Sequence, residues 1–251
     1  MDTRAVVVTG AASGIGRECA NTFFADGWTV FALDVRQVEL DALGGNDRSG
    51  KLTSLHCDVT DSSSVKQAFE SIAKQTDKLN ALVCCAGILR VGALETMPTE
   101  AFDAVFAVNV RGPWLCAKLA IPFLERAANS SNPSRVIFVS STAALRPKIG
   151  AGAYSGSKAA LVNLTLAFAG ELASKQILVN AVAPGAVDTP LRQAYDPKVS
   201  GKYTPGDTSP IGRVAKPSDV VAVMKFLLGS DSDYVTGAVI PVDGGTSAAR
   251  A

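Results

Sequence analysis

Short runs of β-branched and apolar residues alternate along the chain with stretches whose apolar positions recur every three or four residues. The runs Ala5–Val8, Thr29–Leu33, Leu52–His56, Ala81–Cys84, Arg135–Val139, Ile177–Val182 and Ala238–Pro241 predict seven strands. Ser62–Gln75, Phe102–Val110 and Tyr154–Ser174 predict helices among them. Strands that alternate with helices predict an α/β fold: a doubly wound parallel sheet with helices on both faces. No internal repeat or low-complexity segment interrupts the pattern. Asp188–Arg213 is rich in Pro, Gly, Thr and Ser, but strand-like Ala238–Pro241 follows it. The stretch therefore predicts a lid within a single domain spanning 1–251.

Composition narrows the function. The chain has 251 residues, 47% of them hydrophobic, enough for one sizeable core. Lys plus Arg is 24 and Asp plus Glu is 23. A nucleic-acid partner would call for a basic excess, and none is visible. No apolar run approaches the ~18 residues of a membrane span, and the start of the chain lacks a signal-peptide core. Cysteines at 19, 57, 84, 85 and 116 form no CxxC pair, which suits reduced thiols and a cytoplasmic location. The single histidine, His56, excludes most histidine chemistry, since no G-x-S-x-G elbow accompanies it. With Cys57 and Asp58 it makes a poor cage, because strand neighbours point to opposite faces; no metal is expected. A small-molecule partner remains.

Unusual residues collect at the carboxyl ends of the strands: Gly10, Asp34, Asp58, Cys84-Cys85-Ala86-Gly87, Ser140-Ser141 and Pro184-Gly185. Open α/β sheets place ligands there. Gly10, Gly14 and Gly16 join the first strand to a helix, with the spacing a phosphate-cradling turn needs. Asp34 lies where a carboxylate would accept from ribose hydroxyls and repel a 2′-phosphate, and no Lys or Arg stands at Ser13. That favours NAD over NADP, although Arg36 lies two residues on. Tyr154 and Lys158 share a helix face with Leu161, Val162, Thr165, Phe168, Ala169 and Leu172. The lysine is either buried there for a reason or snorkels from the first turn. Asn109 falls on the stripe of Phe102, Val105 and Phe106, or simply ends a helix before Gly112-Pro113.

With these motifs in order, the chain resembles the short-chain dehydrogenase/reductase family from Val6 to Gly245. The resemblance is carried by Thr9-Gly10…Gly14-Ile15-Gly16, Asp58-Val59, Asn109-Val110-Arg111-Gly112, Ser141, Tyr154-Ser155-Gly156-Ser157-Lys158, Pro184-Gly185…Thr189 and Asp243-Gly244-Gly245. It implies a Rossmann-type sheet and an NAD-dependent enzyme interconverting a secondary alcohol, hydroxy acid or cis-diol and its ketone. The implied catalytic residues are Asn109, Ser141, Tyr154 and Lys158. Tyr154 would transfer the hydroxyl proton, its pKa lowered by Lys158 and the nicotinamide charge. Ser141 would hold the substrate oxygen, and Asn109 would carry a water-linked proton path to the lysine. Implied cofactor contacts are Gly10, Ser13, Gly14, Ile15, Gly16, Asp34, Asp58, Val59, Ala86, Gly87, Tyr154, Lys158, Pro184, Gly185, Val187 and Thr189. A homotetramer built on Tyr154–Ser174 and Val239–Gly245 is likewise implied.

Two rival functions stand beside this one: an NADPH-dependent ketoreductase, including 3-oxoacyl-carrier reductases, and a non-catalytic dinucleotide-binding regulator. The presence of all four catalytic residue types argues against the regulator. The substrate pocket is expected to be lined by Ser141, Ala143, Ile149, Tyr154, Ala186 and Leu191, with Leu145 nearby. These uncharged residues favour a mainly apolar alcohol; Arg90, Arg146, Lys148 and Arg192 are the cations an acidic substrate would require. The chain departs from the family at Cys84-Cys85, where two asparagines are usual. Thiols cannot reproduce amide hydrogen bonds and are expected to act as small buried hydrophobes.

Overall fold

The structure, a computed structural model, describes residues 4–43, 51–193 and 209–248. Seven parallel strands form one sheet: β1 (Ala5–Thr9), β2 (Thr29–Asp34), β3 (Lys51–His56), β4 (Ala81–Cys84), β5 (Ser134–Val139), β6 (Ile177–Pro184) and β7 (Val239–Val242). Their order is β3-β2-β1-β4-β5-β6-β7. The chain thus winds outward from β1 in one direction, returns, and winds the other way from β4. The crevice between the ends of β1 and β4 is the switch point where such sheets bind ligands. Every strand expected from the apolar runs is present, with ends shifted by at most two residues.

Strand alternation divides the core. Val7, Phe31, Leu33, Leu82, Val136 and Phe138 point to one face, where α3 (Ser62–Ala73), α5 (Gly112–Ala127) and α6 (Gly152–Leu172) cover them. Val6, Val8, Val30, Ala32, Val83 and Ile137 point to the other, under α1 (Gly14–Ala25), α2 (Gln37–Asp41) and α8 (Pro217–Leu228). Strands buried on both faces need near-continuous apolar sequence, and AVVVT in β1 is buried throughout. Short α7 (Pro190–Gln193) leads into the expected lid. The middle of that stretch, 194–208, lies outside the described residues.

The third helical region differs from expectation. Asn109 does not end a helix: α4 (Thr99–Phe106) runs through a π turn, Ala107–Arg111, directly into α5. Gly112 N–H donates to the carbonyl of Ala107, five residues back. Pro113 has no N–H to give, and its ring would strike the carbonyl four residues back in a regular helix; the wider turn relieves both. A side chain at Gly112 would lie 2.8 Å from Val59 Cγ2, so the helix crosses α3's leading loop at contact distance. The joined helix, Thr99–Ala127, is by length and composition able to cross a bilayer. Here Leu115, Cys116, Ala117, Ala120 and Leu124 are buried against the sheet, so that apolar face serves the core.

Candidate active site

A cavity of about 430 Å³ opens at the carboxyl ends of the strands. Its floor is the turn from β1 to α1. Gly10 has φ +68°, and a side chain there would lie 2.6 Å from the Ala86 nitrogen. A side chain at Gly16 would lie 2.2 Å from the Gly10 carbonyl oxygen. Only hydrogen fits at either position, so the first turn of α1 packs tightly on the loop. Ser13, the residue before α1, is extended and its hydroxyl does not cap the helix; the first turn carries no acid. The helix dipole and its unclaimed N–H groups therefore present a site for an anion. These features fit a dinucleotide pyrophosphate.

Every residue expected to hold the cofactor lines this cavity: Gly10, Ser13, Gly14, Ile15, Gly16, Asp34, Asp58, Val59, Ala86, Gly87, Tyr154, Lys158, Pro184, Gly185, Val187 and Thr189. Asp34 ends β2 nearly buried. Its Oδ2 accepts from the Ala12 N–H at 3.1 Å, and its Oδ1 accepts from the Arg36 N–H at 3.1 Å. The Arg36 guanidinium spans Asp34 and Ser13, donating to the Ser13 hydroxyl at 2.6 Å. Asp58 Oδ1 accepts from the amide and hydroxyl of Thr60, which fixes the loop after β3.

The catalytic candidates lie on β5, its following turn and α6. Lys158 is 4% exposed, which decides against snorkelling. Its Nζ donates to the Val139 carbonyl at 2.8 Å, and burial brings the ammonium down to about 8. Ser140 Oγ fastens the helix by donating to the Lys158 carbonyl. Ser141 accepts from the Ala143 N–H at 3.1 Å and hydrogen-bonds the Tyr154 phenol. Contrary to expectation, the protein alone does not lower the phenol: burial pushes it above its usual value, and the Ser141 bond only partly offsets this. Lys158 Nζ stands 5.7 Å from the Tyr154 ring centroid, with its hydrogen bond directed to backbone.

Asn109 is fully buried and does not line the cavity. Its amide donates to the Ile88 carbonyl at 2.9 Å and to Ser157 Oγ at 3.0 Å, while its Oδ1 accepts from the Ile88 N–H at 2.9 Å. It ties the loop after β4 to α6 and is a positioning residue. This amide, with Thr9, supplies what Cys84 and Cys85 cannot. Cys85 N–H donates to the Thr9 carbonyl and Ala86 N–H to Thr9 Oγ1. Cys84 is buried in the core, where burial raises its thiol; Cys85 is half-buried at the cavity wall.

The substrate end differs in one respect from the sequence reading. Ser141, Ala143, Tyr154, Ala186 and Leu191 line the cavity, but Ile149 is 81% exposed and does not. Its neighbour Lys148 does, and Arg192 joins it from α7; Leu145, Arg90 and Arg146 do not. Ile149 sits in a turn without periodicity, so its apolar character did not reveal which way it points. Ala151, Leu89 and Val108 also line the cavity; small or aliphatic, they carry no chemical signal in the sequence.

The family model described as enoyl-(acyl carrier protein) reductase matches residues 10–247. A 3-oxoacyl-[acyl-carrier-protein] reductase of Thermotoga maritima is 35% identical over 247 residues, covering 98% of each chain. A meso-2,3-butanediol dehydrogenase of Serratia marcescens is 29% identical, covering 98% of this chain and 96% of its own. The crystal structure of a 3-ketoacyl-(acyl-carrier-protein) reductase from Brucella melitensis complexed with NADH superposes with a TM-score of 0.88. It is 29% identical over 97% of this chain and 98% of that one. With the sheet order, the glycine turn and the Ser-Tyr-Lys cluster already in place, the chain belongs to the short-chain dehydrogenase/reductase family, NAD(P)-dependent oxidoreductases acting on CH–OH groups.

Proposed function

We propose that this chain is an NAD-dependent dehydrogenase that interconverts a secondary alcohol and its ketone. The observation that carries the reading is the Ser141–Tyr154 hydrogen bond, one helical turn from buried Lys158, in the wall of the glycine-floored cavity. The bound dinucleotide supplies the hydride chemistry. Tyr154 takes the hydroxyl proton in oxidation and returns it in reduction. Ser141 holds the substrate oxygen beside the phenol. Lys158 holds the nicotinamide ribose and offers positive charge to the phenolate. The positive nicotinamide adds to that charge, which offsets the upward push of burial on Tyr154. Asn109 keeps α6 and the loop after β4 in register.

Asp34 favours NAD: a nearly buried carboxylate at the ribose end opposes a 2′-phosphate. Arg36, held on the Ser13 hydroxyl, supports the second reading, an NADPH-dependent reductase of 3-oxoacyl thioesters like the Thermotoga relative. Scanning alcohols with NAD and ketones with NADH or NADPH separates the two. For the catalytic assignment, Tyr154→Phe should retain cofactor binding, read by fluorescence of the reduced nicotinamide, and lose at least a hundredfold in kcat. Retained turnover at saturating cofactor would reject the role. The protein acts in the cytoplasm as a homotetramer whose contacts include α6 and the C-terminal segment Val239–Gly245. Exposed Leu166 on α6, with Phe102 and Trp114 on α4 and α5, supports this. A monomer by light scattering at micromolar concentration would reject it.

A further inference from the structure

The charges around the cavity are segregated. Among the described residues, its only lining carboxylates are Asp34 and Asp58, both at the end where β2 and β3 finish. The end that holds Ser141 and Tyr154 carries Lys148, Lys158 and Arg192. Lys158 is committed to the Val139 carbonyl and lies deep in the core. Lys148 and Arg192 enter from opposite sides, the first from the turn before α6 and the second from α7. Between and around them the wall is Ala143, Ala151, Leu89 and Leu191.

Lys148 is held in place by its backbone. Its N–H donates to Ser155 Oγ at 3.3 Å, and its carbonyl accepts from the Ala151 N–H at 3.1 Å. The turn is thereby locked to the first turn of α6, one residue after Tyr154. The lysine side chain is half-buried, and burial lowers its ammonium from the ordinary value. A cation in an otherwise aliphatic wall is disfavoured by desolvation, and an incoming anion reverses that cost. An anion so placed also recovers a charge-assisted hydrogen bond.

Resting on the dehydrogenase reading above, we infer that the substrate carries an anionic group that Lys148, assisted by Arg192, grips beside the reacting carbon. A carboxylate is the compact form of that chemistry, making the substrate a hydroxy acid and its oxo acid. The phosphates of a long acyl-thioester handle are the other source of the same charge. This replaces the mainly apolar alcohol expected from the sequence.

The test uses matched substrates on the whole enzyme: 3-hydroxybutyrate, its uncharged methyl ester, 2-butanol, and 3-hydroxybutyryl coenzyme A. Wild-type enzyme should prefer the acid to the ester by tenfold or more in kcat/KM. Lys148→Gln should lose at least thirtyfold more for the acid than for 2-butanol, chiefly through KM, and Lys148→Arg should recover part of the loss. A selective loss confined to the coenzyme A thioester would keep the anionic grip and move its source to phosphate. Equal losses for all four substrates would make Lys148 a structural residue and overturn the inference. So would an acid preference untouched by Lys148→Gln. Oxidation of 2-butanol or the ester without any acid preference would sink this inference alone. If none of the four, nor any other alcohol, reduces NAD or NADP, the dehydrogenase reading fails with it.

Discussion

Lys158→Met should make the protein inactive and more stable at pH 7. The ammonium is buried, and its value falls from 10.5 to about 8. Between those limits the unfolded chain holds the proton and the folded protein has released it, so stability rises with pH through that window. Below pH 8 both states are charged, and the folded state bears the whole burial cost, about 3 kcal/mol at ~1.4 kcal/mol for each pH unit. Methionine has similar length and no charge, and removes that cost. It also removes the bond to the Val139 carbonyl, a loss of about 1 kcal/mol. The variant should therefore exceed wild type by about 2 kcal/mol at pH 7. The advantage should shrink by about 1.4 kcal/mol per pH unit above 8 and vanish or reverse before 10.5. Urea unfolding of both proteins at pH 7, 8, 9 and 9.5 measures this, since the other titrating groups cancel in the difference. A pH-independent difference, or a variant less stable at pH 7, would refute the argument that this lysine is held in place against its own desolvation.

Asn109→Ala should lower cofactor affinity and kcat together while leaving the Tyr154-dependent pH profile unshifted, because it loosens Ile88 and Ser157 and not the phenol. A shifted profile with normal affinity would instead assign Asn109 to proton transfer. Gly16→Val should abolish nicotinamide binding in titration, since even the first carbon meets Gly10's carbonyl oxygen; unaltered binding would refute the cradle. Asp34→Ser should move the NAD-to-NADP ratio of kcat/KM at least tenfold toward NADP, and a constant ratio would show that Arg36 governs the choice.

The strands were legible because each is buried on both faces and so must be written as an uninterrupted apolar run. The cofactor wall was legible for a related reason: the residues that break those runs, Gly10, Asp34, Asp58 and Gly185, stand where strands stop. Lys158 was ambiguous, as its periodicity placed it on a core face without saying how close solvent came. The π turn was hidden, because Gly112-Pro113 reads as a helix stop and the relief provided by a wider turn depends on packing against Val59. The substrate end was least legible. Lys148 and Ile149 are neighbours in an irregular turn, and only the bonds to Ser155 and Ala151 decide which one reaches the cavity.

The π turn at Ala107–Arg111 also makes segment length, and not composition alone, something the chain must preserve. Deleting one residue there would let the helix close into regular α geometry. Every position beyond the deletion would then swing by about 100° and slide by about 1.5 Å relative to α4. Leu115, Cys116, Ala120 and Leu124 would rotate away from the sheet, while Val105 stayed where it is. Conservative replacements at Val108 or Val110 should consequently be tolerated far better than any one-residue gap. Descendants of this chain can change the letters of that segment much more freely than their number.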